Sequence, residues 1–574
     1  MSSPAPRTPV LLDWSAHLLP QAVDHLLGER APGATLDLTD DVVVLPGGRA
    51  RRRFEELLVE GAEVRGIRLI PPAITTIGAL PERLFERERP VADAAAVALA
   101  WAEAVGRCPA SRLRLLYGGL PEAPSLRERL RIGRQLQGLH REIARASLRF
   151  DAVLPHVGGE ERERWQVLVG IQKTALRLLA EAGLDDPDMV RIEALDRPPL
   201  GGEGRIWLVG VPELPGISRA LLERERDRVH VLVHAPEGRR EAFDALGGLH
   251  EDRWTEAPAD LPEDRIHFVA DPSEQALRVA ELIAEAARVD PELSAETVVV
   301  GALDAEAVPV IREVLAEAGL TAREAAGRRL DRTAPVRLLE ATAELLSGYR
   351  WEGVAAWVRH PDVDRMREAW GEVRGESAAY DLPELDRWYQ DHLPSRIAPS
   401  EGPGGAVPGV ARASLPNRVL AFVAHVLGPL GEETERPLSA WVEPVLEYLA
   451  QVYEGAGLDT ARREDRALLR ALDLVGRDLQ RWRRLPASMT PTLGAAGALR
   501  LLLDAMELGE LPNPPEHDAI DVLGWLELPV DDAALTIVTG VGAGTLPEAL
   551  DPGPFLNERL RTALLHAHEI RDRF

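Results

Sequence analysis

Short runs of β-branched and aliphatic residues fall into two groups along the chain, and long stretches rich in alanine and leucine interrupt both groups. Such runs are typical of strands that are buried on both faces of a parallel sheet. Because helical stretches alternate with them, the sequence predicts an α/β fold that is helix-rich overall. The predicted strands are residues 42–45, 67–70, 206–209 and 229–233 in the first group, and 266–269, 297–300, 520–523 and 535–538 in the second.

Each group of strands is split by a helical stretch, which predicts two α/β lobes with one insertion in each. The first lobe comprises residues 1–92 and 200–262, around a helical insertion at 93–199. The second lobe comprises residues 263–360 and 518–574, around a second insertion at 361–517. In the second lobe, a strand, a helix over 273–288 with Ser273 as its N-cap, a strand and a helix over 305–318 follow one another, which is the order of a parallel sheet.

Composition excludes several classes of protein. The chain has 574 residues, 45% of them hydrophobic, so that it can bury several cores, and its net charge is -26. That charge excludes a uniformly basic coat but leaves room for a local basic track. The single cysteine, Cys108, excludes a disulfide framework, a four-cysteine zinc site and a four-cysteine iron–sulfur cluster within these residues. Without a membrane span or a signal peptide, we expect a soluble cytoplasmic protein.

Lysine is almost absent, which bears directly on nucleotide chemistry. Lys173 is the one lysine of the chain, and it lies in a predicted helix with no glycine-rich loop before it. A P-loop needs a lysine directly after its last glycine to reach the β- and γ-phosphates. We therefore expect no ATP or magnesium site and no catalytic residue.

Arginines crowd the start of the helix that follows the first predicted strand. Gly47 and Gly48 precede Arg49, Arg51, Arg52 and Arg53. Cations at a helix N-terminus oppose the helix dipole by about 0.3–1 kcal/mol each, so an anion in front of the helix would offset that cost. A DNA phosphate is the preferred anion, because arginine forks match phosphate oxygens. A solvated charge run and a nucleotide bound without the lysine remain alternatives.

Two further segments are candidates for phosphate contact. Thr75 and Thr76 follow a strand and two prolines, where their hydroxyls can bind phosphate or simply cap a helix over 80–88. A glycine-spaced loop after the last predicted strand lets a backbone approach closely, although a plain tight turn explains it equally. Its candidate residues are Thr539, Gly540, Gly542, Gly544 and Thr545.

The first helical insertion contains an arginine-rich helical stretch. Such a helix can line a single-strand channel, but it is more often a solvated face. Its arginines are Arg127, Arg129, Arg131, Arg134, Arg141 and Arg145.

No metal site or catalytic carboxylate is predicted. The histidines show no metal-ligand spacing, and Glu213, a lone carboxylate after the strand 206–209, is interpreted as structural.

Two α/β lobes, each interrupted by a helical domain, resemble superfamily-one helicases. The segments 43–53 and 72–80 resemble the start of the AddB/RexB-type subunits of bacterial helicase–nucleases, in which strand, proline and an arginine-rich helix start replace the P-loop. Residues 521–527 and 538–548 resemble a later strand and loop of that family, although Gly542 and Ala543 stand where Asn-Glu is common. The strand 206–209 lacks the magnesium-binding Asp-Glu pair that a helicase carries there.

The resemblance implies two RecA-like lobes of the P-loop type with degenerate helicase motifs. It also implies a DNA-binding subunit without ATPase activity that acts in double-strand-break repair and recombination. The implied partners are DNA, as duplex ends and single strands, and an AddA-type subunit that carries the ATP motor. The family continues into a PD-(D/E)XK nuclease domain, which we expect to be absent from these residues.

Two other functions are compatible with the sequence. The chain can be a protein-interaction scaffold that does not bind DNA, which the negative net charge favours. It can also be the N-terminal part of a full-length PD-(D/E)XK exonuclease.

Overall fold

The structure is a computed structural model, and it describes residues 8–255, 261–304, 306–325, 327–373, 380–397, 414–506, 509–511, 513, 518–542, 554–557 and 559–564. The chain divides into two compact units. The first contains Met1–Val91, Ala104–Ala326 and Pro514–Phe574, and the second contains Ala92–Glu103 and Gly327–Asn513. Among the described residues, no helix combines the length and the apolar character that crossing a bilayer requires.

The strands are short, and most of them belong to the first unit. In chain order they are β1 (Val10–Leu12), β2 (Thr35–Asp37), β3 (Val42–Leu45), β4 (Arg68–Ile70), β5 (Ala73–Thr76), β6 (Ile206–Val209), β7 (Val229–His234), β8 (Val298–Ala302), β9 (Thr321–Glu324), β10 (Arg328–Arg329), β11 (Arg436–Pro437), β12 (Thr492–Leu493), β13 (Glu510–Leu511), β14 (Ala519–Leu523) and β15 (Leu535–Thr539).

Helices make up most of the remaining described structure. In chain order they are α1 (Leu18–Leu27), α2 (Gly48–Val64), α3 (Ala94–Arg107), α4 (Ala110–Leu116), α5 (Leu126–Arg145), α6 (Gly159–Glu181), α7 (Pro187–Ala194), α8 (Gly216–Arg224), α9 (Glu251–Thr255), α10 (Pro272–Val289), α11 (Ala307–Glu317), α12 (Ala334–Leu346), α13 (Trp351–Val358), α14 (Pro361–Val373), α15 (Leu382–His392), α16 (Leu415–Leu427), α17 (Val442–Tyr453), α18 (Arg463–Trp482) and α19 (Ala495–Met506).

The first unit contains two larger parallel sheets, of five and four strands, beside the parallel pair β2–β4, which confirms the predicted α/β class. One has the order β1-β7-β6-β3-β5 and the other the order β15-β8-β14-β9, and every pairing within them is parallel. Strand β3 is buried on both faces, because Val43 packs among α1 and α2 while Val44 packs on the opposite side among α7 and α8. That burial explains why the strand is a continuous run of aliphatic residues.

A short segment joins the cores of the two sheets. Residues Trp525–Val530 form a 3-10 helix directly after β14. Val530 is buried in the core that contains α1 and α2, whereas Leu528 packs with Val299 on a face of the second sheet. The close fit is visible at Gly301 of β8, where an added Cβ would lie 2.4 Å from Leu528 Cδ1. The segment therefore fixes α2 against the second sheet.

The second unit is built around helices α12 and α16–α19 and has a buried hydrogen-bonded centre. The hydroxyls of Tyr448 and Thr342 lie 2.8 Å apart, and Trp357 Nε1 donates to the Tyr448 hydroxyl at 3.1 Å. All three side chains are fully buried. Hydrogen bonding inside the core satisfies polar groups that burial would otherwise penalise.

Several predicted elements are wrong or displaced. Residues 266–269 form no strand, and Phe268 is 96% exposed. No α-helix covers residues 80–88, where the 3-10 segments Ile77–Ala79 and Pro81–Arg83 lie instead. The N-cap of α10 is Asp271 rather than Ser273, because the Asp271 carboxylate accepts from the backbone N–H groups of Ser273 and Glu274. Strand β5, which directly follows Pro71 and Pro72, and the polar strand β9 carry no apolar run that would predict them.

Candidate functional site

Helix α2 begins as the sequence predicts, directly after β3 and the Pro46-Gly47 turn. Gly47 is the N-cap, and its carbonyl accepts from Arg51 N at 3.1 Å. A glycine N-cap has no side chain with which to satisfy the other free N–H groups of the first turn. The beginning of α2 is therefore an electropositive place at the end of a buried strand.

The Arg49 side chain is held by two carboxylates of the same unit. Its Nη1 lies 2.6 Å from Asp521 Oδ2, and its Nη2 lies 2.7 Å from Asp531 Oδ2. Asp521 is in β14, and Asp531 follows the 3-10 segment that joins the sheet cores. The anion that the arginine-rich helix start predicts is thus supplied by the chain itself, from residues more than 470 positions away.

Two more arginines complete this group. Arg53, one turn after Arg49, binds Asp532 through Nε and through Nη2 at 2.8 Å. Arg323 in β9, the register partner of Asp521, binds that carboxylate through Nε at 2.7 Å and Nη2 at 2.6 Å. We call these six side chains the Arg–Asp cluster; its members are Arg49, Arg53, Arg323, Asp521, Asp531 and Asp532.

The cluster is half-buried, and its charges compensate one another. Burial of Arg49 opposes its charge, but the Asp531 and Asp521 carboxylates outweigh burial and raise the pKa of Arg49. The hydrogen bond to Asp532 raises the pKa of Arg53. Burial also raises the pKa of Glu527, against the opposing charges of Arg49 and Arg52. Arg49 and Arg53 therefore stay charged and paired at any physiological pH.

The other two predicted arginines of α2 are placed differently. Arg51 pairs with Glu55 of the same helix at 2.8 Å. Arg52 is exposed, and within the described residues it donates to no carboxylate. Of the predicted arginines, Arg52 has its guanidinium most open to solvent, whereas Arg49 is committed to the cluster.

Thr75 and Thr76 lie in a strand rather than in the loop that the sequence suggests. Both belong to β5, which pairs with β3, and Thr75 is buried with 5% of its surface exposed. The Thr76 side chain makes no capping hydrogen bond to the 3-10 segment after it. The expectation that these threonines form a loop or cap a helix is therefore wrong, because the backbone pairing with β3 continues past the prolines.

The glycine-spaced segment after β15 makes a tight turn where it is described. Thr539 is buried, and its hydroxyl donates to Gly301 O at 3.3 Å. Gly540 has a φ of 77°, and a Cβ there would lie 3.2 Å from Asp304 N. Gly542 is exposed, while Gly544 and Thr545 lie outside the described residues. The Thr539 hydroxyl is thus engaged within the fold, and Gly540 is required by backbone geometry.

Lys173 and Glu213, which the sequence analysis considered for nucleotide chemistry, lie in different elements of the first unit. Lys173 is exposed within α6, as predicted, far along the chain from α2. After β6, Gly210 has a φ of 58° and packs against Leu18, and Glu213 is exposed beyond it.

One group of side chains has the composition of a metal site. The ligand atoms of His140, Asp186 and Asp188 lie within 4.8 Å of one another. However, Gln172 Nε2 lies 2.9 Å from His140 Nδ1, while Gln172 Oε1 accepts from Phe150 N. Nδ1 therefore accepts, and Nε2 carries the proton that is donated to Asp186 at 3.2 Å. This arrangement fits a neutral, hydrogen-bonded histidine, since a metal-bound histidine needs an acceptor at its other nitrogen.

Sequence reasoning missed the acidic half of the Arg–Asp cluster. Asp531 and Asp532 stand in an unremarkable acidic pair, and no local pattern links them to Arg49. The usable signal was the unfavourable arginine-rich helix start, which requires an anion but does not identify it.

Comparison with known proteins adds no assignment. No protein-family model matches the chain, and no curated protein sequence matches it.

Proposed function

We propose that this chain is a DNA-binding, helicase-like protein that does not turn over ATP and serves as the AddB/RexB-type subunit of a bacterial helicase–nuclease acting on double-strand breaks. The observation that carries the proposal is the pairing of Arg49 with Asp521 and Asp531 at the first turn of α2. In the resembling layout, that turn is where a motor binds the phosphates of ATP.

Charge explains why the pairing argues against ATP turnover. A nucleotide polyphosphate at the start of α2 must displace or approach three carboxylates, those of Asp521, Asp531 and Asp532. P-loop enzymes use a lysine and a magnesium ion to neutralise phosphate charge at this point. Here Arg49 and Arg53 are already paired with the chain's own carboxylates, so these two guanidinium groups offer no net positive charge to an incoming polyphosphate.

The arrangement of the two parallel sheets supports the finer proposal of two RecA-like lobes. Both sheets belong to one unit, and the segment Trp525–Val530 packs against α2 and against β8. In a motor, this junction opens and closes as nucleotide binds. In this chain, ion pairs and buried apolar side chains hold the junction together. The partners that we propose are DNA ends, single strands and an AddA-type motor subunit, in the cytoplasm.

Two measurements on the purified chain test the proposal. We expect no ATP turnover, with or without DNA, and we expect binding to forked and blunt-ended DNA that weakens steeply as salt rises. An Arg51→Ala/Arg52→Ala variant should show a shallower salt dependence if the exposed start of α2 contacts phosphate. ATP turnover that Glu213→Gln abolishes would contradict the proposal.

A protein-interaction scaffold is the second candidate, and one observation favours it. The net charge is -26, and two arginines at the start of α2 are bound to the chain's own carboxylates. The same binding experiment separates the two functions, because a scaffold shows no affinity for DNA even at low salt.

A further inference from the structure

Helix α5 exposes a line of arginines along one face. With 3.6 residues per turn, one sector of about 80° on this helix contains six positions. They are 127, 131, 134, 138, 141 and 145. The opposite face is buried through Ile132, Leu136 and Ile143. Arg127, Arg131, Arg141 and Arg145 are all exposed, and we call these four residues the α5 stripe.

The carboxylates of α5 make their hydrogen bonds elsewhere, although Glu128 lies close enough to Arg131 for their charges to interact. Glu128 accepts from the backbone N–H and the hydroxyl of Ser125 in a capping box. Glu142 binds Arg561 Nε at 2.9 Å. Within the part of the chain that the structure describes, none of the four stripe arginines donates to a carboxylate.

The surroundings of the stripe are open and mostly basic. A Cβ added at Gly138, in the middle of the line, would have no atom within 4 Å. Arg131 and Arg164 both lie close enough to Tyr117 to influence its ionisation. Asp188 on α7 is the carboxylate beside Arg141, and burial raises its pKa. A row of unpaired guanidinium groups is therefore kept in a chain that is strongly acidic overall.

We propose that the α5 stripe binds the phosphodiester backbone of a DNA strand that runs along the helix. The stripe runs over 19 residues, from Arg127 to Arg145, a rise of about 27 Å, which is long enough for several successive phosphates. Unpaired guanidinium forks suit phosphate oxygens, and the line holds no exposed aromatic platform for reading bases. The contact is therefore independent of base sequence.

This inference rests on the proposed DNA binding and locates it on a surface other than the start of α2. The test uses the full chain with fluorescein-labelled oligothymidylate and with a blunt duplex, titrated at several salt concentrations. The variant is Arg127→Gln/Arg131→Gln/Arg141→Gln/Arg145→Gln. Glutamine keeps helix propensity while it removes the charge.

The matched control removes the same charge from arginines that are paired. It is Arg149→Gln/Arg177→Gln/Arg240→Gln/Arg278→Gln, in which each arginine has a carboxylate partner. Each single-strand phosphate contact contributes about 0.7 to the slope of log affinity against log salt. We expect the stripe variant to lose about 3 from that slope and the control to keep it.

The outcomes separate the two proposals. If the wild-type chain binds DNA and the stripe variant binds equally well with the same slope, the stripe inference is overturned while the DNA-binding function stands. If the wild-type chain binds neither probe at low salt, both fall. If the fourfold variant does not fold, the double variants Arg127→Gln/Arg131→Gln and Arg141→Gln/Arg145→Gln should each lose about half of the slope change, and an unchanged slope in both overturns the inference.

Discussion

Arg49 forms ion pairs with two carboxylates at the junction between α2 and the second sheet. It neutralises Asp531, which is 6% exposed, and shares Asp521 with Arg323. Removing one partner of a buried pair leaves an uncompensated charge, which costs more than the pair itself contributes. We therefore predict that Arg49→Ala lowers the free energy of unfolding by about 2–4 kcal/mol, measured by urea denaturation.

The neighbouring Arg51 provides the control. It lies two residues away on the same helix, with an exposed pair to Glu55. Such pairs contribute less than about 1 kcal/mol. Equal losses in Arg49→Ala and Arg51→Ala would mean that the Arg–Asp cluster does not stabilise the fold.

Asp186 predicts a pH dependence of stability. Burial opposes its ionisation, but hydrogen bonds from His140 and from the N–H groups of Met189 and Asp188 outweigh burial and lower its pKa. A carboxyl with a lowered folded pKa stabilises the fold above its unfolded pKa of about 4, and that stability is lost as the pH falls through the folded value. Asp186→Asn keeps the hydrogen-bond acceptor but removes this charge.

We expect Asp186→Asn to be less stable than the wild type by about 1 kcal/mol at neutral pH, with the difference shrinking below about pH 4. Urea denaturation across this pH range measures it. Burial and the neighbouring Asp186 charge both raise the pKa of Asp188, and the variant removes the second of these causes. A difference that grows on acidification would contradict the assigned direction.

At the scale of single residues, the sequence predicted an anion near the start of α2 but not which residues supply it. The arginines at the start of α2 oppose the helix dipole, which favours an anion near them without identifying it. Identifying Asp521 and Asp531 needed the register of β14 beside β9 and the path of the segment after it. Contacts so distant along the chain leave no local pattern.

At the scale of elements, burial explains which predictions were confirmed. Strands β3, β6 and β8 are buried on both faces, and their continuous aliphatic runs were visible in the sequence. Strand β9 has the polar sequence Thr-Ala-Arg-Glu, in which Arg323 pairs with Asp521 of the Arg–Asp cluster. Because it lacks an apolar run, its sequence does not predict a strand. Residues 266–269 have the composition of a strand but no pairing within the described residues.

That unpaired segment gives a prediction for one substitution. Phe268 is 96% exposed, so Phe268→Ser removes almost no buried surface. We expect the free energy of unfolding to change by less than about 0.5 kcal/mol, and the amides of residues 267–269 to exchange rapidly with solvent. A loss above about 2 kcal/mol would show instead that the segment packs as a sheet strand.

At the scale of the first unit, the Arg–Asp cluster lies at the first turn of α2, which the proposed helicase-like layout would assign to a phosphate ligand. The carboxylates of Asp531 and Asp532 neutralise Arg49 and Arg53, which lie four residues apart and therefore share one face of α2. Replacing both aspartates with asparagine leaves these guanidinium groups partly uncompensated. An external anion can then take over the role that the two carboxylates play in the wild type.

We therefore predict that inorganic pyrophosphate raises the melting temperature of Asp531→Asn/Asp532→Asn but not that of the wild type. A ligand that binds only the folded state stabilises it by about 2.7 kcal/mol at a hundred times its dissociation constant, which makes the shift depend on concentration. Adding Arg49→Ala and Arg53→Ala to the variant should abolish the response. Equal stabilisation of the wild type would mean that Arg49 and Arg53 bind phosphate even in the presence of Asp531 and Asp532. The carboxylates of the cluster would then not exclude a nucleotide from the start of α2.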